Sequence, residues 1–130
     1  MAKPTVLVVE DNEVNRELVE ELLGMAGHTV VACTTGEEAM AWLAEHRPDL
    51  ILMDINLPGE DGLTLTRAIK ARPATAHIPV VALTAYAMSG DQGRILAAGC
   101  DGYISKPIDV PQFPALIARY LAGRGCGGPA

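Results

Sequence analysis

Five short apolar runs alternate with five segments of helical periodicity, and that alternation leaves few folds open to the chain. The runs fall at 5–9, 29–33, 50–53, 79–83 and 102–104. They are rich in β-branched residues and nearly continuous in apolar character, which suits strands buried on both faces of a parallel sheet. Between them, apolar residues recur at helical spacing. Val14, Leu18, Leu22 and Met25 form a first stripe, and Ala39, Trp42 and Leu43 a second. Leu63, Leu65, Ala68 and Ile69 mark a third, and Ile95, Leu96 and Ala98 a fourth. Phe113, Leu116, Ile117, Tyr120 and Leu121 mark a fifth. Thr35 with Glu38, and Ser89 with Gln92, have capping-box spacing and predict helix starts. Gly24 or Gly27, Pro73 and Gly99 predict stops. Five βα units with right-handed crossovers make a three-layer α/β domain.

A chain of 130 residues has the length of one such domain and can hold a core without disulfides or metals. Ten Lys and Arg stand against 16 Asp and Glu, for a net charge of −6. That balance, with only five aromatic residues, argues against a nucleic-acid binder, which needs a basic face and stacking platforms. The three cysteines, at 33, 100 and 126, form no C-x-x-C pair and read as free thiols in a reducing compartment. The apolar stretch 6–9 is too short for a signal peptide, and no run approaches the length of a membrane span. The expectation is a cytoplasmic domain over 1–122 with a flexible tail at 123–130, where four glycines and a proline cluster.

Open parallel sheets bind ligands beyond the carboxyl ends of their strands. Those ends carry Glu10 and Asp11 after strand 1, Asp54 after strand 3, Thr84 after strand 4 and Lys106, before Pro107, after strand 5. Singly, each has a bland reading. Asp11 or Asn12 caps helix 1, Asp54 opens the turn at Pro58-Gly59, Thr84 ends a strand, and Lys106-Pro107 punctuates a loop. Jointly they place three carboxylates, a hydroxyl and an ammonium on one edge. Three converging carboxylates repel, a divalent cation relieves that repulsion, and all-oxygen donors suit Mg²⁺ or Mn²⁺. Lys106 is a compact donor able to hold an anion beside the metal.

Competing chemistries lack their residues. No glycine-rich loop follows strand 1, so dinucleotide and P-loop readings fail. No G-x-S-x-G is present. His28, His46 and His77 lie away from every strand's carboxyl end and read as surface or loop residues. Trp42 and the methionines fit core or partly buried helix faces.

Val-Val-Glu-Asp-Asn at 8–12, Leu-Ile-Leu-Met-Asp at 50–54, Leu-Pro at 57–58 with Asp-Gly at 61–62, Leu-Thr-Ala at 83–85 and Ser-Lys-Pro at 105–107 together resemble a bacterial response-regulator receiver domain. The segments 76–91 and 99–108 are similar to single-domain regulators of the DivK type. The resemblance spans about 5–121. It implies a flavodoxin-like (βα)₅ fold with strand order 2-1-3-4-5.

It also implies a phosphorylation switch in a two-component phosphorelay. Asp54 is then the phosphoacceptor, supplied by a phosphohistidine on a histidine kinase or phosphotransfer protein. Glu10, Asp11, Asp54 and the backbone carbonyl of Asn56 hold Mg²⁺. Thr84 and Lys106 contact the phosphoryl group, Tyr103 is the switch aromatic, and the bond before Pro107 is cis. Asn56 and Tyr86, two residues beyond Asp54 and Thr84, flank the path of an attacking water and tune the lifetime. The expected output is docking of a downstream protein on the helix 4–strand 5–helix 5 face, by a monomer or weak dimer that is not a classical enzyme. Gly90 and Gly93 give helix 4 a marginal start. Pro111 suits a first helical turn, whereas Pro114 removes a hydrogen bond or delays helix 5. Two alternatives stand beside this reading. One is a receiver module of a hybrid histidine kinase, a pattern associated with Asn12 and Asn15, against which the short tail and the start Met1-Ala2-Lys3-Pro4 weigh. The other is a Mg²⁺-dependent phosphohydrolase, which needs an acid where the chain has Asn56.

Overall fold

Continuous apolar strands need cover on both faces, and a computed structural model of the chain, describing residues 3–57, 60–85 and 91–123, shows how that cover is supplied. The sheet strands are β1 (Thr5–Val9), β2 (Thr29–Cys33), β3 (Leu50–Asp54), β4 (Val80–Thr84) and β5 (Gly102–Ser105). All pair in parallel, in the order β2-β1-β3-β4-β5. The helices are α1 (Glu13–Met25), α2 (Gly36–Leu43), α3 (Gly62–Ala71), α4 (Asp91–Ala97) and α5 (Phe113–Gly123). Alternate strand residues divide between two cores, as the period of two requires. Val6, Val8, Leu50, Leu52, Val81 and Leu83 pack with residues of α1 and α5. Leu7, Val9, Ile51, Met53, Val80 and Ala82 pack with residues of α2, α3 and α4. The flavodoxin-like three-layer architecture is therefore the one the strand pattern implies.

Local signals explain most boundaries. The Asn12 side chain caps α1 by accepting from the Asn15 amide at 3.0 Å. Thr35 and Glu38 form the expected capping box on α2. Glu38 also accepts from the Thr34 hydroxyl at 2.6 Å and the Thr34 amide at 2.7 Å, and these bonds hold its carboxyl below the usual range. Gly27, not Gly24, terminates α1: it takes φ +91°, and the His28 and Gly27 amides close back on Leu23 and Gly24. Gly99 does the same for α4 at φ +105°. Ser89 and Gly90 lie outside the described residues, as do Pro58, Tyr86, Cys126 and positions 124–130 of the anticipated tail. Gly123, its first residue, is still helical. Cys33 and Cys100 are buried free thiols whose pKa burial pushes up. No described helix is long and apolar enough to cross a membrane.

Three features depart from the sequence pattern. The buried stripe of α1 is Val19, Leu22 and Leu23, whereas Val14 and Met25 are 74% and 79% exposed. Of the anticipated stripe, Leu22 is buried and Leu18 packs against the same core, so the inward face is rotated from that stripe and not opposite to it. On α4, Leu96 is likewise exposed. Next, Asn56–Leu57 and Glu60–Asp61 pair as a short antiparallel hairpin between β3 and α3. Finally, α5 starts only at Phe113, after a turn in which the Gln112 and Phe113 amides both donate to the Asp109 carbonyl. Pro114 thus falls in the first turn, where its missing N–H costs no helical bond, and Pro111 precedes the helix.

Gly62 explains the path of the chain after β3. A Cβ there would sit 2.4 Å from the Asp54 carbonyl oxygen and 2.6 Å from Ile55 Cα. The Gly62 amide donates to the Ile55 carbonyl at 3.2 Å, so α3 begins directly against the backbone that carries Asp54. Gly62→Ala should lower unfolding free energy by roughly 2–4 kcal/mol, because the obstacle is backbone that cannot step aside. Gly24→Ala, in α1 with open space around it, should instead raise it by about 0.5–1 kcal/mol. Urea unfolding of the two variants beside the parent protein checks both signs.

Candidate functional site

Parallel strands bring all their carboxyl ends to one edge, and here that edge collects the charged residues of the chain's middle layer. Glu10 follows β1 and is fully buried, with its amide donating to the Cys33 carbonyl at 3.0 Å. Asp11, next to it, is exposed. Asp54 is the last residue of β3 and is 2% exposed. Thr84 ends β4 and is buried. Lys106 follows β5, with its amide on the Thr84 carbonyl at 2.8 Å. The Lys106–Pro107 peptide bond is cis.

Lys106 joins the acids. Its Nζ lies 3.0 Å from Glu10 Oε1 and 3.2 Å from Asp54 Oδ2. Asp54 Oδ1 accepts from the Asn56 amide at 3.0 Å, and Glu10 Oε2 from the Asn12 amide at 3.2 Å. One carboxylate oxygen from each of Glu10, Asp11 and Asp54 lies within 4.8 Å of the others. Burial, and then the hydrogen bond shared with Asp54, pushes the Glu10 carboxyl up to about 7, with Lys106 pulling the other way. Burial pulls the Lys106 ammonium down, but the contact with Glu10 and the charge of Asp54 together outweigh it and hold its pKa above the usual value.

The residues fit a divalent cation on two grounds. All three acidic donors are hard oxygens gathered in one place. Glu10 Oε1 is buried with no hydrogen-bond partner of good geometry, its contact with Lys106 being an ion pair by distance alone. Three carboxylates there face one ammonium, that of Lys106, and this excess of negative charge favours a further cation.

Other anticipated residues occupy distinct places. Asn56 is exposed and directly follows the Asp54 turn. Tyr103 is half-buried against the α2–α4 core, paired across the sheet with Ala82. Ala82 and Thr84 share one sheet face, so Tyr103 and Thr84 stand on the same side. His28 and His77 precede β2 and β4, at the opposite edge, and His46 stacks on Trp42 with ring centroids 4.7 Å apart. Burial lowers the His28 pKa. Two contributors were not read from the sequence. Gly62 was noted only as part of a motif. Arg16 donates to the backbone carbonyls of Glu10 and Asp11. Its signal is that helical side chains lean toward the N-terminus, so a long cation in the first turn reaches back over the preceding loop.

Comparison with known proteins gives the same picture. Residues 6–118 match the family model of the response regulator receiver domain. The chain is 49% identical over 117 residues to the polar-differentiation response regulator DivK of Brucella anthropi, covering 90% of this chain and 95% of that protein. The Brucella ovis DivK is 48% identical over the same length. Among solved structures, a response regulator from Chloroflexus aurantiacus superimposes with a TM-score of 0.88 at 30% identity, covering 93% of this chain and 99% of the other. The receiver domain of the sensor histidine kinase PA1611 from Pseudomonas aeruginosa, which has a magnesium ion coordinated in its active-site cleft, gives 0.85 at 36% identity with the same coverage. With nearly the whole chain matched, and with acids and lysine converging at the carboxyl edge of a 2-1-3-4-5 sheet, this protein belongs to the response-regulator receiver family.

Proposed function

We propose that the protein is a phosphorylation switch in which Asp54 accepts a phosphoryl group from a phosphohistidine of a histidine kinase or phosphotransfer protein. The observation that carries this is the buried Asp54 carboxylate held between Lys106 and the Asn56 amide, with Glu10 and Asp11 beside it. An Asp54 oxygen attacks phosphorus, the P–N bond to the donor imidazole breaks, and the nitrogen keeps the electron pair. Little covalent chemistry is asked of the protein, so positioning and charge neutralisation dominate. Lys106 supplies one positive charge at the oxygen that reacts or at its neighbour. Thr84 and Lys106 meet the phosphoryl oxygens. Glu10, Asp11, Asp54 and the Asn56 carbonyl would hold Mg²⁺ or Mn²⁺. When bound, the cation supplies the remaining positive charge. Hydrolysis by water resets the switch, with the side chains of Asn56 and Tyr86 tuning its rate.

Output then runs through packing. Thr84 turns toward the phosphoryl group, and Tyr103, on the same sheet face, moves into the space it leaves. That biases the α4–β5–α5 face between two arrangements, which a downstream protein reads by docking. The setting is cytoplasmic, the receiver unit occupies 1–122, and self-catalysed transfer and hydrolysis are its only chemistry. A receiver module of a hybrid histidine kinase is the second reading, supported by the likeness to PA1611. Against it, the DivK likeness is higher in identity and spans 95% of that relative. A phosphohydrolase is disfavoured because position 56 offers an amide, not a carboxylic acid.

Intact-mass analysis with acetyl phosphate should show a Mg²⁺-dependent gain of one phosphoryl group in the parent protein and none in Asp54→Ala. Stable phosphorylation of Asp54→Ala would assign the wrong nucleophile.

The raised Glu10 pKa has a thermodynamic counterpart. The folded state keeps the Glu10 proton between the model-peptide value of 4.5 and about 7, so this group's contribution to stability is greatest below that window and falls as pH rises through it. Glu10→Gln in EDTA should flatten the fall and be more stable at pH 8 by about 1–3 kcal/mol, less than the whole shift because the amide also gives up the ion pair with Lys106. Urea unfolding from pH 5 to 8 checks this, and a steeper fall in the variant would show that burial of Glu10 is not the cause.

A further inference from the structure

Arg16 lies in the first turn of α1, its side chain only 20% exposed. Its Nη1 donates to the Glu10 carbonyl at 3.2 Å and reaches the Asp11 carbonyl at 3.4 Å. Its backbone amide donates to the Asn12 carbonyl at 2.9 Å. One residue therefore closes over all three positions that link β1 to α1. Glu10 has other anchors, through its amide on Cys33 and its Oε2 under the Asn12 amide. Asp11 does not: it is exposed, and Arg16 is its only hydrogen-bond partner among the described residues.

We infer that Arg16 is a positioning residue of the cation site, setting the Glu10 and Asp11 peptide units so that the Asp11 carboxylate stays beside those of Glu10 and Asp54. The inference rests on the divalent-cation reading given above. Two effects of the guanidinium oppose each other. Its charge repels a cation, whereas its hydrogen bonds remove the backbone freedom that binding would otherwise have to restrict. Geometry decides between them. The guanidinium sits behind the two carbonyls rather than among the carboxylates, and Glu20 Oε1, 3.9 Å from Nε, offsets part of its charge. At physiological ionic strength, screening weakens the repulsion further, while the hydrogen bonds are untouched by it. Ordering therefore outweighs repulsion.

The test is Mg²⁺ titration by calorimetry of the full chain. Arg16→Met, which keeps the apolar stem and loses every donor, should raise the Mg²⁺ Kd about tenfold, the low end for loss of a residue supporting metal ligands. Arg16→Lys, with a donor on a similar stem, should recover most of that loss. Glu20→Gln should stay within about twofold of the parent, as an exposed partner contributes little. With acetyl phosphate, Arg16→Met should be slow at low Mg²⁺ and recover the parent rate when Mg²⁺ saturates. Unchanged or tighter Mg²⁺ binding in Arg16→Met overturns the inference, as does a rate deficit that persists at saturating Mg²⁺. Failure of the parent protein to bind Mg²⁺ is a different result: it removes the cation reading itself, and this inference with it.

Discussion

One ammonium group facing two buried carboxylates is the constraint on which the rest of the molecule depends. Lys106 lies 3.0 Å from Glu10 and 3.2 Å from Asp54. Each carboxylate pair within the 4.8 Å cluster repels by roughly 3 kcal/mol at an effective dielectric near 20, and each contact with Lys106 returns an amount of the same order. The site is therefore near balance and not comfortable. With all groups ionised, three carboxylates and one lysine leave a formal charge of −2. A divalent cation cancels that charge, which is why the same cluster that strains the fold suits the chemistry proposed for it. The strand order makes the arrangement possible. β1 and β3 are neighbours in the sheet, so Glu10 and Asp54 leave it side by side, and Lys106 reaches them from beyond β5 across the Thr84 end of β4.

The sheet and its charged edge were legible in the sequence because they rest on contrasts of residue type. A strand buried on both faces has nowhere to put a polar side chain, so a polar residue after an apolar run marks where the strand leaves the core. Asp54 and Thr84 prove to be the last strand residues rather than the first loop residues. That one-residue difference leaves the edge unchanged. The caps at Asn12 and Thr35 and the positive-φ glycines at 27 and 99 were legible for a similar reason, since each answers a local need of the backbone at a helix end.

What escaped the sequence is set by tertiary contact. Helix α1 carries two apolar rows, and periodicity alone does not say which faces inward. Packing chose Val19, Leu22 and Leu23 and left Val14 and Met25 in water. The requirement at Gly62 is equally invisible locally. Nothing in its neighbours announces that the Asp54 carbonyl will lie 2.4 Å from where a Cβ would stand. Arg16 belongs to the same class, because its carbonyl partners become partners only once β1 and α1 have fixed the turn between them.

The two edges of the sheet divide stability from function. At the amino edge, several polar groups are satisfied in closed sets, while His28 Nδ1 is buried there without a hydrogen-bond partner. Lys70 Nζ meets the Ile78 carbonyl at 2.7 Å and Asp101 Oδ2 at 3.0 Å, and that same Asp101 oxygen accepts from the Val80 amide at 2.8 Å. Nearby, the Thr5 amide donates to Asp49 Oδ2, and the Asp49 amide donates back to the Thr5 carbonyl. These bonds tie α3, β4 and β5 together, and β1 to β3, away from the site. At the carboxyl edge, three carboxylates share the single ammonium of Lys106, and burial pushes the Glu10 carboxyl up to about 7. A sheet locked at one end can carry unresolved charge at the other without losing its register.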